Sequence, residues 1–257
     1  MIHPTALVDT GARIGTDVTI GAYSVIGPQV TIGDRCWIGP HVVIKGPTTI
    51  GLENRIFQFC SIGDDPQDKK YANDRNSALA IGDRNVIREF CTINRGTEHG
   101  GGRTVLGHDN WIMAYVHVAH DCSVGSNVVF ANHTTLAGHV TIDDYVTCGG
   151  FTGVHQFCHV GRYCFTAISS VVVKDVPPYL MIAGNTARPS GLNREGLKRH
   201  GFSPATITLL RQAYKIVYRE GLTIQQALDN LQTLNSASEE VACFSDFISK
   251  SRRGIVR

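Results

Sequence analysis

The sequence lacks any segment that would place it in or across a membrane. Its apolar runs are only a few residues long, far below the roughly 20 residues that a membrane-spanning helix needs. Its first residues, Met1 to Thr5, contain neither the basic region nor the apolar region of a signal peptide. We therefore expect a cytoplasmic protein without a membrane span.

The sequence also lacks paired cysteines and a strong charge of one sign. None of its eight cysteines forms a Cys-x-x-Cys motif, which predicts buried, reduced thiols rather than disulfides. A net charge of +2 gives no indication of nucleic-acid binding. Residues 190–257 carry a net charge of +4 and could attract an acidic partner, although ordinary surface variation gives the same pattern.

A six-residue repeat is what the sequence has in abundance. Ile or Val recurs at every sixth position from Ile2 to Ile62, and a small residue, most often Gly, follows many of them. The repeat resumes from Ile81 to Ile93 and again, with a few other residues, from Leu106 to Val172. Period six fits neither an amphipathic helix nor a hairpin meander. It predicts a mainly β fold, a parallel β-helix over residues 1–189 in which each hexad forms a short strand and a corner.

Three hexads would close one triangular coil of 18 residues. At a strand spacing of roughly 4.8 Å, 26 hexads stack into about nine coils and a prism about 40 Å long. The spacing leaves the hand of the coil open, and the general rule for parallel crossovers favours a right-handed connection.

Two breaks in the repeat predict excursions, near residues 64–80 and 94–105. The intervals from Ile62 to Ile81 and from Ile93 to Leu106 are 19 and 13 residues, each a multiple of six plus one. Loops that leave a regular scaffold often carry function, and they are also where insertions are tolerated.

Residues 190–257 lack the repeat and predict a small α-helical domain. Their helix-boundary signals are an N-cap with a first-turn proline at Ser203 and Pro204, a stop at Gly221, and capping boxes at Thr223/Gln226 and Ser236/Glu239.

Histidines crowd the late coils. Hexads that start at Val118, Leu136 and Val154 are 18 residues apart, so we expect His120, His139 and His155 to stack on one wall within about 10 Å. Such a cluster could hold zinc, as in the γ-class carbonic anhydrases that share this type of fold, or consist of hydrogen-bonded structural histidines. A histidine with a pKa near 6.5 also suits general-base chemistry, and His120 is followed directly by Asp121.

A more specific resemblance rests on five dispersed segments whose order and spacing agree with one known family. The segments are His117–Cys122, Leu136–Val140, Val154–Cys158, Asp175–Tyr179 and Asn193–Arg199. On these motifs the sequence resembles the UDP-N-acetylglucosamine O-acyltransferases of the lipid A pathway, which belong to the hexapeptide-repeat transferases. The resemblance implies a left-handed prism and a homotrimer with active sites in clefts between subunits. It implies transfer of an (R)-3-hydroxyacyl group from acyl carrier protein to the 3-hydroxyl of UDP-N-acetylglucosamine, with no cofactor and no metal.

The resemblance also implies residue roles. His120 would be the general base that a weakly nucleophilic sugar hydroxyl requires, and Asp121 its polar partner. The N–H of Gly138 would hold the developing oxyanion, where the absence of a side chain allows close approach. The substrate-binding residues implied are Gln67, Asp68 and Lys70 for the acylated substrate; His117, His139, His155 and Gln156 for sugar, acyl or nucleotide groups; and Asn193, Glu195 and Arg199 near the nucleotide.

Several positions depart from the family pattern or have a second interpretation. Asn94, Thr186 and His200 stand where relatives have other polar residues. Ile168 replaces a Gly that leaves room for a long acyl chain in some members, which predicts a shorter chain here; plain core packing is the alternative. Arg199 could contact phosphate or the carrier protein, or be a solvated helix cation.

Other functions remain open at the level of sequence. The related N-acyltransferases usually carry a domain before the prism, whereas the hexads here start at Ile2. An acetyl-CoA-dependent acetyltransferase would not be expected to match the last 70 residues. A non-catalytic prism predicts no loss of function on changing His120, and a zinc-dependent hydratase predicts stoichiometric metal.

Overall fold

Each hexad forms a short strand and a corner, and successive strands wind around a three-sided prism. The computed structural model describes residues 1–71 and 76–257; residues 72–75, which fall in the first predicted excursion, lie outside the described residues. The strands, in chain order, are β1 Leu7–Val8, β2 Arg13–Ile14, β3 Thr19–Ile20, β4 Val25–Ile26, β5 Val30–Ile32, β6 Trp37–Ile38, β7 Val43–Ile44, β8 Thr48–Ile50, β9 Arg55–Ile56, β10 Ser61–Asp64, β11 Ala78–Ile81, β12 Val86–Ile87, β13 Thr92–Asn94, β14 Arg103–Leu106, β15 Trp111–Ile112, β16 His117–Val118, β17 Ser123–Val124, β18 Val129–Phe130, β19 Thr135–Leu136, β20 Thr141–Ile142, β21 Thr147–Cys148, β22 Gly153–Val154, β23 His159–Val160, β24 Phe165–Thr166, β25 Val171–Val172, β26 Leu180–Ala183 and β27 Arg188–Leu192.

Within the described residues these strands form three sheets, which are the faces of the prism. The first face runs β1-β4-β7-β10-β13-β16-β19-β22-β25, the second runs from β2 to β23, and the third from β3 through β24 to β26 and β27. Pairing is parallel except between β26 and β27, and aliphatic residues of successive coils pair with one another, as in Val118↔Leu136 and Leu136↔Val154. The aliphatic residues point inward and are almost fully buried. The predicted parallel β-helix is confirmed.

The corners need a backbone conformation that most residues avoid. The third residue after the aliphatic position has a positive φ in many coils, for example 63° at Tyr115, 59° at Asp121 and 59° at Asn127. Because the same conformation recurs at each corner, side chains at equivalent positions stack along the prism. The three corners therefore become three ladders, and their chemistry differs.

Both phase breaks correspond to loops that leave the prism. The first lies between β10 and β11 and the second between β13 and β14, where a short 3₁₀ helix spans Glu98–Gly100. The strands on either side stay in phase, since Ile81 pairs with Leu106.

The last strand crosses the predicted domain boundary at 189/190. β27 pairs antiparallel with β26, and four helices follow: α1 Arg194–Arg199, α2 Pro204–Arg219, α3 Ile224–Asn235 and α4 Glu239–Lys250. The caps at Ser203 and Thr223 are confirmed. The capping box at Ser236 is wrong, because α3 extends to Asn235 and Ser238 caps α4 instead.

The cysteines are free, as predicted. Seven of the eight are buried, and Cys243 is half-buried. Within the part of the chain that the structure describes, no helix is both long and apolar enough to cross a membrane.

Candidate active site

The corner between the first and second faces carries a His–Asp pair. Val118 ends β16, and the chain turns through His120 and Asp121. The backbone N–H of Asp121 donates to Thr104 Oγ1 at 2.8 Å, which ties this corner to β14, the strand of the second face in the preceding coil. The pair is thus built into the scaffold and not carried on a loop.

The Asp121 carboxylate is buried, and both of its oxygens have hydrogen-bond partners. Its side chain is 1% exposed. Oδ1 accepts the backbone N–H of Thr97 at 2.9 Å, and Oδ2 accepts the Thr97 hydroxyl at 2.7 Å. Oδ2 also lies 2.8 Å from His120 Nδ1. A buried carboxylate needs such donors to remain charged.

This arrangement assigns the tautomer of His120. An ionised carboxylate only accepts hydrogen bonds, so the ring proton lies on Nδ1. Nε2 is then a free lone pair, and it makes no hydrogen bond within the described residues. The imidazole is 16% exposed and lines two adjoining cavities of about 260 and 550 Å³. His120 can therefore accept a proton from a molecule in this cleft.

His139 forms the next wall of the cleft. Its ring packs edge-on against His120, with centroids 5.1 Å apart, and stacks on Phe157 at 4.4 Å. Burial lowers the pKa of His139; Asp121 raises it in part, and His120 lowers it further. His139 is therefore held neutral near pH 7 and can donate or accept a hydrogen bond without adding charge.

Two glycines allow the close approach of chain segments in the cleft. A Cβ on Gly138 would lie 2.6 Å from His120 Cε1 and 2.7 Å from Nε2. A Cβ on Gly100, in the second excursion, would lie 2.0 Å from Asp121 Oδ2. Any side chain at either position would displace the His–Asp pair. The N–H of Gly138 finds no acceptor among the described residues, so it is available to a ligand.

The first excursion forms the opposite wall. Gln67, Asp68 and Lys70 line the cavities with His120 and His139, and Gln156 lies beside them. The Lys70 N–H donates to Asp68 Oδ1 at 2.9 Å, which fixes a tight local turn. The structure thus brings together, within one chain, eight predicted residues: Gln67, Asp68, Lys70, His120, Asp121, Gly138, His139 and Gln156.

The predicted stack of three histidines is wrong for His155. His120, His139 and His155 stand at different positions of their hexads, so their side chains leave the coil in different directions. Phe157, not His155, stacks on His139. His155 is exposed and lies 3.4 Å from Arg253 Nη2.

The other predicted residues do not line these two cavities in one chain. His117 points from the first face, where its Nδ1 lies 2.7 Å from Thr92 Oγ1; burial lowers its pKa, and the His120 charge lowers it further. Asn193 Nδ2 donates to the Tyr163 carbonyl at another corner, and Glu195 and Arg199 follow it on α1.

Ile168 is 70% exposed, so the interpretation of this residue as core packing is wrong.

Sequence reasoning missed Thr97, Thr104, Gly100 and Phe157. Thr97 lies 24 residues from Asp121, and its contact depends on how the second excursion folds back. The repeat does predict Phe157 beside His139, since the two are 18 residues apart.

His120, Asp121 and His139 also place three potential metal ligands within 4.8 Å. The Asp121 oxygens, however, already accept three hydrogen bonds. The donor set therefore fits a base and its orienting carboxylate better than a metal centre. A separate cavity of about 290 Å³ beside α4 is lined by none of the predicted catalytic or substrate-binding residues.

Known proteins match along the whole chain. The protein-family model "Udp N-acetylglucosamine O-acyltransferase; Domain 2" matches residues 175–256. A second family model, "Bacterial transferase hexapeptide (six repeats)", matches residues 1–34 and 103–138. The acyl-[acyl-carrier-protein]–UDP-N-acetylglucosamine O-acyltransferase of Thiobacillus denitrificans is 55% identical, with 100% of this chain and 99% of the relative covered. The Neisseria gonorrhoeae enzyme of the same name is 51% identical at the same coverage.

Solved structures match equally well. The UDP-N-acetylglucosamine acyltransferase of Francisella novicida superposes with a TM-score of 0.97 at 44% identity, covering 100% of this chain and 94% of its own. The Arabidopsis UDP-N-acetylglucosamine acyltransferase gives a TM-score of 0.89 at 36% identity, with both chains fully covered (100%). The shared coil is left-handed, which confirms the hand that the resemblance implied.

Proposed function

The chain belongs to the acyl-[acyl-carrier-protein]–UDP-N-acetylglucosamine O-acyltransferases, and from this membership we propose how the His120 cleft carries out the family's reaction. The chain is an acyltransferase of lipid A biosynthesis, with acyl carrier protein as donor and UDP-N-acetylglucosamine as acceptor. The acyl group is (R)-3-hydroxyacyl and the acceptor atom is the 3-hydroxyl oxygen. The observation that carries the proposal is the 2.8 Å contact between His120 Nδ1 and Asp121 Oδ2, which leaves Nε2 free at the cleft.

The reaction is a direct transfer. His120 Nε2 takes the proton of the sugar hydroxyl as its oxygen attacks the thioester carbonyl carbon. The Gly138 N–H donates to the carbonyl oxygen as it becomes negative. The intermediate collapses, the C–S bond breaks, and the proton on Nε2 passes to the departing sulfur. The products are the ester and the carrier thiol.

Asp121 stays ionised throughout and has two functions. Its bond to Nδ1 keeps the lone pair on Nε2, and its charge stabilises the imidazolium that forms after proton transfer. The two Thr97 donors keep the carboxylate in place. No protein nucleophile takes part, so the buried thiols have no catalytic function.

The excursion residues and Gln156 bind substrate in this proposal. Gln67, Asp68 and Lys70 contact the acylated substrate, and His139 and Gln156 contact sugar or acyl groups. The remaining substrate-binding residues do not line this cleft in one chain, and in the proposed trimer they contribute to a cleft shared with a neighbouring subunit: His117, His155, Asn193, Glu195 and Arg199. Arg199 and the basic C-terminal part would face phosphate or the acidic carrier protein.

A homotrimer is part of the proposal, and the corner between the third and first faces supports it. Seven rings stack along this corner with centroids 4.7–5.3 Å apart: Tyr23, His41, Phe59, Phe90, Tyr115, His133 and Phe151. Tyr115 is 49% exposed and Phe151 58%. A continuous exposed aromatic ladder of this kind marks an interaction surface, and cyclic symmetry closes it among three copies. We place the enzyme in the cytoplasm, where free thiols persist.

The test is acyl transfer from a panel of (R)-3-hydroxyacyl carrier proteins to UDP-N-acetylglucosamine. We expect His120→Ala to lower kcat by about 10²–10⁴-fold. The matched control is His108→Ala, an exposed histidine that accepts the Asp83 N–H. Transfer that survives in His120→Ala would remove His120 as the base. No transfer by folded wild-type protein with any donor would contradict the proposed function.

A further inference from the structure

Arg95, at the start of the second excursion, binds the first excursion to the prism. Its side chain is 13% exposed. Its hydrogen-bond acceptors are Tyr71 Oη at 3.2 Å from Nε and 3.0 Å from Nη2, Ser77 Oγ at 3.1 Å, the Gly46 carbonyl at 3.1 Å, the Gly63 carbonyl at 3.2 Å, and the Asp65 carboxylate. All three nitrogens of the guanidinium donate hydrogen bonds, so this side chain connects several chain segments and does more than form a single ion pair. We call this set of hydrogen bonds the Arg95 junction.

The acceptors lie on both sides of the substrate-binding residues. Asp65 precedes Gln67, Asp68 and Lys70, and Tyr71 follows them directly. Gly46 and Gly63, in contrast, belong to coils of the prism. Arg95 therefore fixes both ends of this short segment to the scaffold through one planar group.

Asn94 extends the junction through its amide. Nδ2 donates to the Asp65 carbonyl at 2.8 Å and to the Asp64 carbonyl at 3.4 Å. The Arg95 N–H adds a bond to the Asp64 carbonyl at 3.2 Å. Asn94 is 4% exposed, so these bonds are shielded from competing water. The departure from the family pattern at this position thus anchors the excursion.

The segment itself has few bonds of its own. Between Asp65 and Tyr71, the local hydrogen bonds run from the Lys70 and Tyr71 N–H groups to Asp68. Gln67, Asp68, Lys69 and Lys70 are all exposed. Ordering each such residue costs backbone conformational entropy, and little within the segment offsets this cost.

We propose that Arg95 is a positioning residue of the reaction, which holds Asp68 and Lys70 against the His120 cleft. The inference rests on the proposed function, in which these residues contact the acylated substrate. Arg95 does not line the described cleft and acts through the segment that it fixes. A displacement of about 1 Å in such a segment is enough to reduce catalysis about 10²-fold.

The first experiment measures the segment without any substrate. Trypsin cleaves after Lys69 and Lys70, and mass spectrometry identifies the cut. Arg95→Met should raise the cleavage rate at these sites at least about tenfold, since cleavage follows the population of the open segment. The matched control is Arg88→Met, in the same coil, which removes a bond to Glu89 at 2.8 Å and a contact with the Phe57 ring. It should leave cleavage at Lys69 and Lys70 unchanged.

The second experiment separates positioning from general stability. In Arg95→Met we expect kcat/KM for the acyl carrier protein donor to fall about 10²-fold, mostly in KM. Arg95→Lys keeps the positive charge but loses the planar guanidinium with its several N–H donors, so it should behave like Arg95→Met. Added guanidinium ion should restore activity to Arg95→Ala in a saturable way, whereas methylammonium at the same concentration should not.

Each outcome decides the proposal. Unchanged cleavage and unchanged KM in Arg95→Met would overturn it, as would full activity in Arg95→Lys. If Arg95→Met does not fold, Asp65→Asn serves in its place, because Asp65 is 44% exposed; it should raise cleavage in the same direction. If wild-type protein transfers no acyl group, the proposed function fails while the cleavage result still decides whether Arg95 fixes the segment.

Discussion

Gly138 lies directly against the imidazole of His120. A Cβ at residue 138 would come within 2.7 Å of Nε2, closer than any non-bonded contact of this kind allows. The residue that offers a free N–H to the cleft is therefore also the residue that leaves room for the base. One missing side chain serves both functions.

Gly138→Ala should consequently damage catalysis far more than stability. The added methyl group pushes the imidazole out of line with Asp121, and we expect kcat to fall at least about 10²-fold. Gly153→Ala is the control, because a Cβ there meets nothing within 4 Å on the same face. Steady-state kinetics of both variants, with urea unfolding, checks this; equal kcat values in the two variants would contradict it.

Asp121→Asn should leave the fold intact and reverse the tautomer of His120. An amide nitrogen facing Nδ1 would donate to it, which moves the ring proton to Nε2 and abolishes the base. We expect a loss of about 10²–10⁴-fold in kcat. Asp109→Asn, at an exposed pair with Arg84, is the control. Nitrogen NMR of the imidazole reads the tautomer directly, and an unchanged Nδ1–H signal in Asp121→Asn would refute the assignment.

The lowered pKa values of His117 and His139 make stability depend on pH. Burial is the main cause at both residues. In the unfolded chain a histidine binds its proton near pH 6.5, whereas the folded protein binds it only at lower pH. Between these values the unfolded state holds more protons, so stability falls as pH falls below about 6.5.

His139→Gln should weaken this pH dependence. Urea midpoints at pH 7.5 and 5.5 should differ less in the variant than in wild-type protein. His3→Gln, which changes an exposed histidine in the first coil, should keep the wild-type difference. An identical difference in all three proteins would show that His139 protonation is not linked to unfolding.

Tyr115→Glu should break the proposed trimer by placing a charge in the aromatic ladder. Light scattering should show a shift from three times the chain mass of 28.0 kDa toward a single chain. Asn127→Glu is the matched control, since Asn127 has a similar backbone conformation in the same coil, with φ of 59° against 63° at Tyr115. A Tyr115→Glu protein that stays trimeric would locate the interface elsewhere.

Ile168→Gly should extend the acyl chain that the enzyme accepts. Ile168 is exposed in one chain, so it can border a groove that a neighbouring subunit completes. In the variant, the preferred donor of the panel should have a longer acyl chain than in wild-type protein. Leu7→Gly is the control and should keep the wild-type preference, because Leu7 is similarly exposed (67%) but lies in the first strand of the prism. No gain with longer donors would refute the interpretation of Ile168 as a length determinant.

The sequence by itself determined the scaffold and most of the catalytic corner. A period of six with an inward aliphatic residue packs as a three-sided β-helix, although the period leaves its hand open, and its arithmetic places His120, Gly138 and Gln156 at one position on successive coils. Strict periodicity makes these neighbours readable because position in the repeat fixes position in space. Helix caps at Ser203 and Thr223 were predictable for a different reason, since they depend only on local chain geometry.

Only the tertiary structure decided what the two excursions do. Thr97 reaches Asp121 and Arg95 reaches Asp65 across 24 and 30 residues, and loops outside the repeat have no period from which such contacts could be read. Phe157 shares its position in the hexad with His139 and stacks on it, as the repeat arithmetic allows, whereas His155 stands at a different position of its hexad and does not join the stack. Within the repeat, the sequence specifies neighbours along the prism; beyond it, contacts depend on how irregular segments fold back onto that prism.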